Sequence, residues 1–339
     1  MLHRMHIYYH TDELPVFRKS VVTIGSFDGV HTGHAQILGQ LRAEADRIGG
    51  ETVIITFYPH PRRVVGGGLG QVKLLNTLAE KIQLLSWRQI DHLVVVPFTE
   101  SFSRLTAQEY VHEFLVAKFH PHTVIIGYDH RFGKGRHGDY HLLEQFSRSE
   151  GFQLEEIPVQ LLDAVSVSST RIREAIGQSD IASANKLLGY PYFFTGQVVE
   201  GRRLGKSIGF PTANLRINDP EKLIPANGVY AVEVSVLESG DISLTAPTTV
   251  VAPRTAPWAG PGYQGMMNIG VRPTVDGREK TVEVNVFDLD QDLYGRELRV
   301  SVRQWLRPEQ KFSGLEELRQ QLGRDKQDAI TALQALPIQ

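Results

Sequence analysis

Two patterns that follow one another along 339 residues predict an α/β half, built on a doubly wound parallel sheet, and then an antiparallel β-barrel closed by a terminal helix. The first is a recurrence of short apolar runs separated by amphipathic stretches. The second is a series of alternating runs bounded by Gly, Pro, Asn and Asp, with a single long amphipathic stretch at its end. The length favours two domains, and 41% hydrophobic with 22% charged residues is the composition of a soluble globular chain.

In order, the apolar runs of the first half are VVTIGSF from Val21, TVIITFY from Thr52, HLVVVPF from His92, TVIIGYD from Thr123 and LEEIPVQ from Leu154. Helical patterns separate them: HAQILGQLRAEADRIG from His34, KLLNTLAEKIQLLSWRQ from Lys73, TAQEYVHEFLVAKF from Thr106 and DYHLLEQFSRSEG from Asp139. Apolar strands alternating with helices indicate a parallel sheet covered on both faces, whose ligands bind beyond the carboxyl ends of its strands. After about Leu188 the grammar changes. YFFTGQVVEG from Tyr192, GVYAVEVSVLE from Gly228, MMNIGV from Met266, TVEVNVFDLD from Thr281 and ELRVSVRQWL from Glu297 read as antiparallel strands, and GLEELRQQLGRDKQDAITALQAL from Gly314 as the closing helix. The boundary falls within Leu187–Pro191, so the domains are residues 1–187 and 188–339. The stretch from Leu244 to Gly262, rich in Pro, Ala and Thr, is expected to be a surface loop inserted between two strands and remote from any site.

A formal net charge of −2 sets no general field for nucleic acid or anionic lipid, so phosphate recognition must be local. Without cysteine there are no disulfides and no thiolate metal sites, which fits a reducing cytoplasm. The opening MLHRMHIYYHTDELPVF lacks a signal peptide's apolar core, and no stretch is long enough to span a membrane. The expectation is a cytoplasmic protein with no nucleic-acid or membrane partner. Its oligomeric state is not written in the sequence.

TIGSFDGVHTGHAQIL, from Thr23, marks a site. A strand ends near Ile24, Gly25 lets the backbone turn, and a helix begins close to Gly33 or His34. His31 and His34 then share the first turn of that helix, where free amides and the helix dipole favour an anion. Two histidines without a third ligand do not make a zinc site. VSSTRIREAI, from Val167, adds a second clamp: Ser168, Ser169 and Thr170 can cap a helix along which Arg171 or Arg173 reaches. In the second half, TGQVVEGRRLGKSIGFPTANLRI from Thr195 joins a glycine- and base-rich turn to a strand on which Thr212 and Asn214 share a face. Hard oxygen ligands at that spacing suit Mg²⁺ on ATP phosphates. Along TVEVNVFDLD, alternation turns Val282, Val284 and Val286 inward and Glu283, Asn285 and Phe287 outward.

GSFDGVHTGH, GYDHRFGKGRHGD and VSSTRIR together resemble the adenylyltransferase module of prokaryotic bifunctional riboflavin kinase/FAD synthetases. PTAN, KLIPANGVYAV, MMNIGVRPT and TVEVNVFDLDQDLYG are similar to the riboflavin kinase module of the same family. The resemblance spans nearly the whole chain in family order. It implies a Rossmann-like nucleotidyltransferase domain in which Gly25, Phe27, Asp28, His31 and His34 surround ATP. Asp129 lies near the nucleotide or metal, and Ser168, Ser169, Thr170 and Arg173 hold the phosphates. It implies a kinase barrel in which Glu283 activates the 5′-hydroxyl of riboflavin, Gly201, Gly205 and Lys206 cover the phosphates, and Thr212 and Asn214 hold Mg²⁺. The substrates and products it implies are ATP, riboflavin, FMN and FAD.

The chain departs from that pattern at His130, where Phe is usual, at FYPHPRRV from Phe57, where arginines replace an acidic residue, and at Asn285, where His is frequent. A riboflavin kinase whose first half has lost FAD synthesis and a non-catalytic flavin- or nucleotide-binding protein are the alternatives.

Overall fold

A computed structural model describes residues 3–65, 72–128, 130–157, 167–201, 205, 208–237, 249–252, 256, 262–274 and 277–335. The chain divides into two compact units. One holds the described residues within 1–74, 78–168 and 244–254, and the other those within 75–77, 169–243 and 255–339.

The first unit is built on a seven-stranded sheet. Its strands are β1 (Arg4–Tyr8), β2 (Val21–Ile24), β3 (Thr52–Tyr58), β4 (His92–Pro97), β5 (Thr123–Gly127), β6 (Gln153–Ile157) and, from far along the chain, β10 (Thr249–Val251). Their order is β10-β1-β4-β3-β2-β5-β6, with every pair parallel except β10 against β1. Strands β2 to β5 read as apolar runs because both of their faces are covered: Val22, Val53, Ile55, Val94, Val124 and Ile126 share one buried cluster with Phe114, Phe119 and Phe132.

Helix α1 (Thr32–Ile48) starts one to two residues before the expected position, with His31 as its cap, and stops where Gly49 enters the left-handed region at φ 65°. Helix α2 (Pro61–Val65) follows β3. The pattern beginning at Lys73 becomes helical only at α3 (Leu78–Trp87). Beyond the short α4 (Glu100–Ser103), the pattern from Thr106 opens in a capping box between Thr106 and Glu109. It runs as α5 (Ala107–Glu109), a π-helical stretch (Tyr110–Val116) and α6 (Ala117–Phe119). Asp139 caps α7 (Tyr140–Glu150) by accepting the Leu142 amide at 3.0 Å.

Of the expected loop at Leu244–Gly262, residues 244–248, 253–255 and 257–261 lie outside the described residues, and Thr249–Val251 correct it. Thr249–Val251 form β10, an edge strand of the first sheet in register with Arg4–His6, and the Thr249 hydroxyl lies 3.1 Å from His6 Nδ1. β-Branched residues bounded by Pro and Ala fit an edge strand, which composition alone had hidden.

The second unit contains a closed six-stranded antiparallel barrel. Its order is β11 (Tyr263–Thr274), β12 (Gly277–Val286), β8 (Ala213–Arg216), β7 (Tyr192–Val199), β13 (Glu297–Arg307) and β9 (Gly228–Leu237). Helices α8 (Ser169–Gly177) and α9 (Ile181–Leu188) belong to this unit. The Asn185 amide ties α9 to the barrel, donating to the Val302 carbonyl at 3.0 Å and accepting from the Tyr192 amide at 2.7 Å.

The terminal helix α10 (Leu315–Ala335) covers one flank of the barrel. Phe287 is buried under it, in one cluster with Ala329, Ala332 and Leu333. The expected outward face of β12 is therefore not a solvent face. Asn285 and Phe287 are buried and Glu283 is half-buried, because the helix supplies a second apolar surface there.

Candidate functional sites

The order of the first sheet reverses between β2 and β5, with β3 and β4 to one side and β6 to the other, so the crevice at their carboxyl ends is the place where such folds bind ligands. The loop that leaves β2 there is tightly built. Phe27, Gly29 and Val30 all take positive φ, at 46°, 92° and 38°, and Phe27, Asp28 and Val30 are buried. Gly29 is the residue type that adopts such a φ without strain.

The loop delivers His31 to the helix cap, where its Nδ1 accepts the His34 amide at 3.3 Å. The two imidazoles stack with centroids 3.7 Å apart and planes 12° apart, and Phe27 packs on His34 at 4.9 Å. His34 Nδ1 is buried and has no hydrogen-bond partner among the described residues. Burial holds the His34 imidazole well below its ordinary pKa, and the neighbouring charges of His31 and Lys81 push it the same way. This is a pre-stacked pair at a helix N-terminus, with His34 held neutral, suited to donate hydrogen bonds to phosphate oxygens.

Lys81, on α3, is buried. Its ammonium donates to the Ser26 carbonyl at 2.7 Å and to the Thr56 hydroxyl at 3.4 Å. Burial depresses its pKa to about 8, opposed by Asp28. Sequence reasoning missed it. The one signal was a lysine inside the apolar helical run LAEKIQLL.

At the end of β5, His130 stacks on Phe132 with centroids 5.9 Å apart, and its Nε2 is buried without a partner among the described residues. Burial, helped by Arg136, lowers its pKa to about 4. Tyr58 at the end of β3 and Tyr128 after β5 are exposed, as are Arg62 and Arg63 on α2.

The structure thus brings Gly25, Phe27, Asp28, His31 and His34 together. Ser168 closes the first unit's stretch of chain. Ser169, Thr170 and Arg173 lie on the first turns of α8 in the second unit, with Thr170 exposed and Arg173 half-buried. Asp129 and Lys206 lie outside the described residues.

The barrel carries a cavity of about 280 Å³ whose walls include Gly205, Thr212, Met267, Glu283, Arg307 and Asp325. Glu283 stands directly across the β8–β12 ladder from Asn214, in the antiparallel register that also pairs Val284 with Ala213. Arg272 donates to Glu283 Oε1 at 3.4 Å, and Asn285 Nδ2 donates to the Pro211 carbonyl at 2.6 Å, pinning the start of PTAN. The backbone at Gly201 lies so close to Asn214 that a Cβ there would fall 2.0 Å from the amide nitrogen, so a larger residue would displace the Asn214 side chain. Thr212, Asn214 and Glu283 offer hydroxyl, amide and carboxylate oxygens, a donor chemistry that fits Mg²⁺ and not a soft metal. Arg272 and the Arg307–Asp325 pair were not foreseen, because partners 11 and 18 residues apart leave no local signature.

A family profile described as FAD synthetase matches residues 14–171, and one described as riboflavin kinase matches residues 188–333. Among curated relatives, the bifunctional riboflavin kinase/FMN adenylyltransferase of Escherichia coli (strain K12) is 36% identical over 306 residues, covering 90% of each chain. Its namesake in Listeria monocytogenes is 37% identical over 327 residues, covering 95% of this chain and 96% of the relative. The Bacillus subtilis protein of that name is 33% identical over 316 residues, covering 92% of each. A solved Streptococcus pneumoniae structure, titled a macrolide-efflux protein, superposes with a TM-score of 0.81 at 28% identity, covering 96% of this chain and 98% of that one. Among the described residues, no helix of this chain is long and apolar enough to cross a membrane. With relatives matched over nine-tenths or more of both chains and both profiles in their order, the chain belongs to the bifunctional riboflavin kinase/FMN adenylyltransferase family.

Proposed function

We propose that the chain makes FMN and then FAD, with phosphorylation assigned to residues 188–339 and adenylylation to residues 1–187. In the barrel, the 5′-hydroxyl oxygen of riboflavin bonds to the γ-phosphorus of ATP as the bond to the β–γ bridging oxygen breaks, giving FMN and ADP. Glu283 takes the hydroxyl proton. Arg272 holds that carboxylate from one side, and Asn214 faces it across the ladder. Thr212 and Asn214 are the residues that would hold Mg²⁺, which supplies positive charge to the ATP phosphates when bound. In the adenylylation step, a phosphate oxygen of FMN bonds to the α-phosphorus of a second ATP, and pyrophosphate leaves. No covalent enzyme intermediate is needed, so the contribution of His31, His34, Ser168, Ser169, Thr170 and Arg173 is alignment and hydrogen bonding to the phosphates. ATP, riboflavin and FMN are the small-molecule partners, and the cytoplasm is the compartment this reading assigns.

The observation that carries the reading is the half-buried Glu283 in the wall of the barrel cavity, opposite Asn214. Incubation of the purified chain with riboflavin, ATP and Mg²⁺, followed by chromatography of the flavins, tests it. FMN followed by FAD is expected, with neither formed in EDTA. FMN alone means that adenylylation has been lost, and unchanged riboflavin removes the catalytic reading.

A further inference from the structure

Lys81 lies on α3 among Leu78, Ile82, Leu84 and Leu85, all buried. Its ammonium leaves that apolar surface for the Ser26 carbonyl, to which the Thr56 hydroxyl also donates at 3.3 Å. The Ser26 carbonyl is therefore gripped from α3 and β3 together, immediately before the three positive-φ residues of the loop. A loop in that conformation keeps it only where its surroundings impose it. An apolar side chain would fill the same space without the cost of burying a cation, so packing does not account for a lysine here.

We propose that Lys81 is a positioning residue for adenylyl transfer: anchored on Ser26 and Thr56, it fixes the loop from Gly25 to Val30 and sets its charge within reach of Asp28 and His34, so that the histidine pair meets the nucleotide's phosphates already aimed. The charges acting on His34 are those of His31 and Lys81, and Asp28 acts on Lys81. The Lys81 cation favours the neutral form of the His34 ring, which can then donate to phosphate. The proposal rests on reading the histidine turn as the adenylylation site.

The test uses the full-length enzyme. Lys81→Met is expected to lower kcat for FAD formation from supplied FMN about 10- to 100-fold, as misplaced alignment does, with KM for ATP changed less than about threefold. FMN formation from riboflavin should be unchanged. The His34 titration midpoint, followed by NMR, should rise, which a merely structural role would not cause. Lys81→Gln keeps an N–H for Ser26 without the charge, so it should recover part of the kcat and still leave the midpoint raised; it also serves if the Met variant fails to fold by circular dichroism. A folded variant with wild-type kcat, or a His34 midpoint that moves in neither variant, overturns the proposal. His31→Ala with His34→Ala is run alongside: if FAD formation survives that pair, it is the site reading that fails.

Discussion

Arg307 holds Asp325 with both arms of its guanidinium, Nε to Oδ1 at 2.7 Å and Nη2 to Oδ2 at 2.6 Å, and so joins the end of β13 to α10. Asp325 is almost fully buried and also accepts from Gln321 at 2.9 Å, while Arg307 donates to the Pro308 carbonyl at 2.9 Å. Asp325→Ala leaves the guanidinium without its counter-charge and should cost roughly 3–5 kcal/mol, read as a lower urea midpoint for the barrel. Both residues line the cavity, so KM for riboflavin should rise about tenfold, or about 1.4 kcal/mol. Replacing the pair together by Arg307→Met and Asp325→Leu should restore most of the stability. A double variant as unstable as the single one would contradict this account.

Glu283→Gln preserves volume and removes the proton acceptor. FMN formation should fall about 10²- to 10⁴-fold, while adenylylation of supplied FMN continues at the wild-type rate. Separate assays with riboflavin and with FMN read the two activities, and loss of both in a folded variant would defeat the two-site reading.

His31→Ala with His34→Ala strips the donors from the N-terminus of α1. FAD formation should drop by at least about 100-fold, with riboflavin still converted to FMN. Accumulated FMN on chromatography is the signature.

His130 is held neutral by burial, with a pKa lowered from 6.5 to about 4. Below pH 6.5 the unfolded chain binds this proton more readily than the folded one. The stabilising contribution is therefore complete above that pH and is lost as the pH falls toward about 4. His130→Phe removes the group and should flatten the acid side of the stability curve across that interval, as measured by urea titrations at a series of pH values. An unchanged slope would show that His130 ionises freely in the native state.

Val250→Pro places a residue without an N–H in β10, opposite Met5. Exchange of the Arg4–His6 amides should quicken, and sedimentation should show more self-association, since an unpaired edge offers a template to another chain. Kinase turnover should not change. Wild-type exchange in this variant would mean that β10 adds nothing to the sheet.

The parallel sheet was readable because four runs were apolar on both faces, and the histidine turn because it follows the first of them. The barrel was readable from alternation and turn residues. Less visible was whatever depends on which surface covers which: Asn285 and Phe287 look solvent-facing by period until α10 is laid over them, and Thr249–Val251 look like part of a loop until β1 offers an edge. Lys81 and the Arg307–Asp325 pair belong to the same class. Their meaning comes from a partner remote in sequence, and no local pattern encodes it.

The return of Thr249–Val251 to the first sheet makes the two halves interleaved rather than consecutive. A cut near residue 188, whether by protease or by gene dissection, does not yield the two compact units: the α/β fragment forfeits its outermost strand and carries off α8 and α9, which belong to the barrel's unit. The barrel's sequence thus carries a piece of its neighbour's architecture. Recombination that exchanges one half for a homologue must also exchange, or supply as a short peptide, the strand lodged in the other.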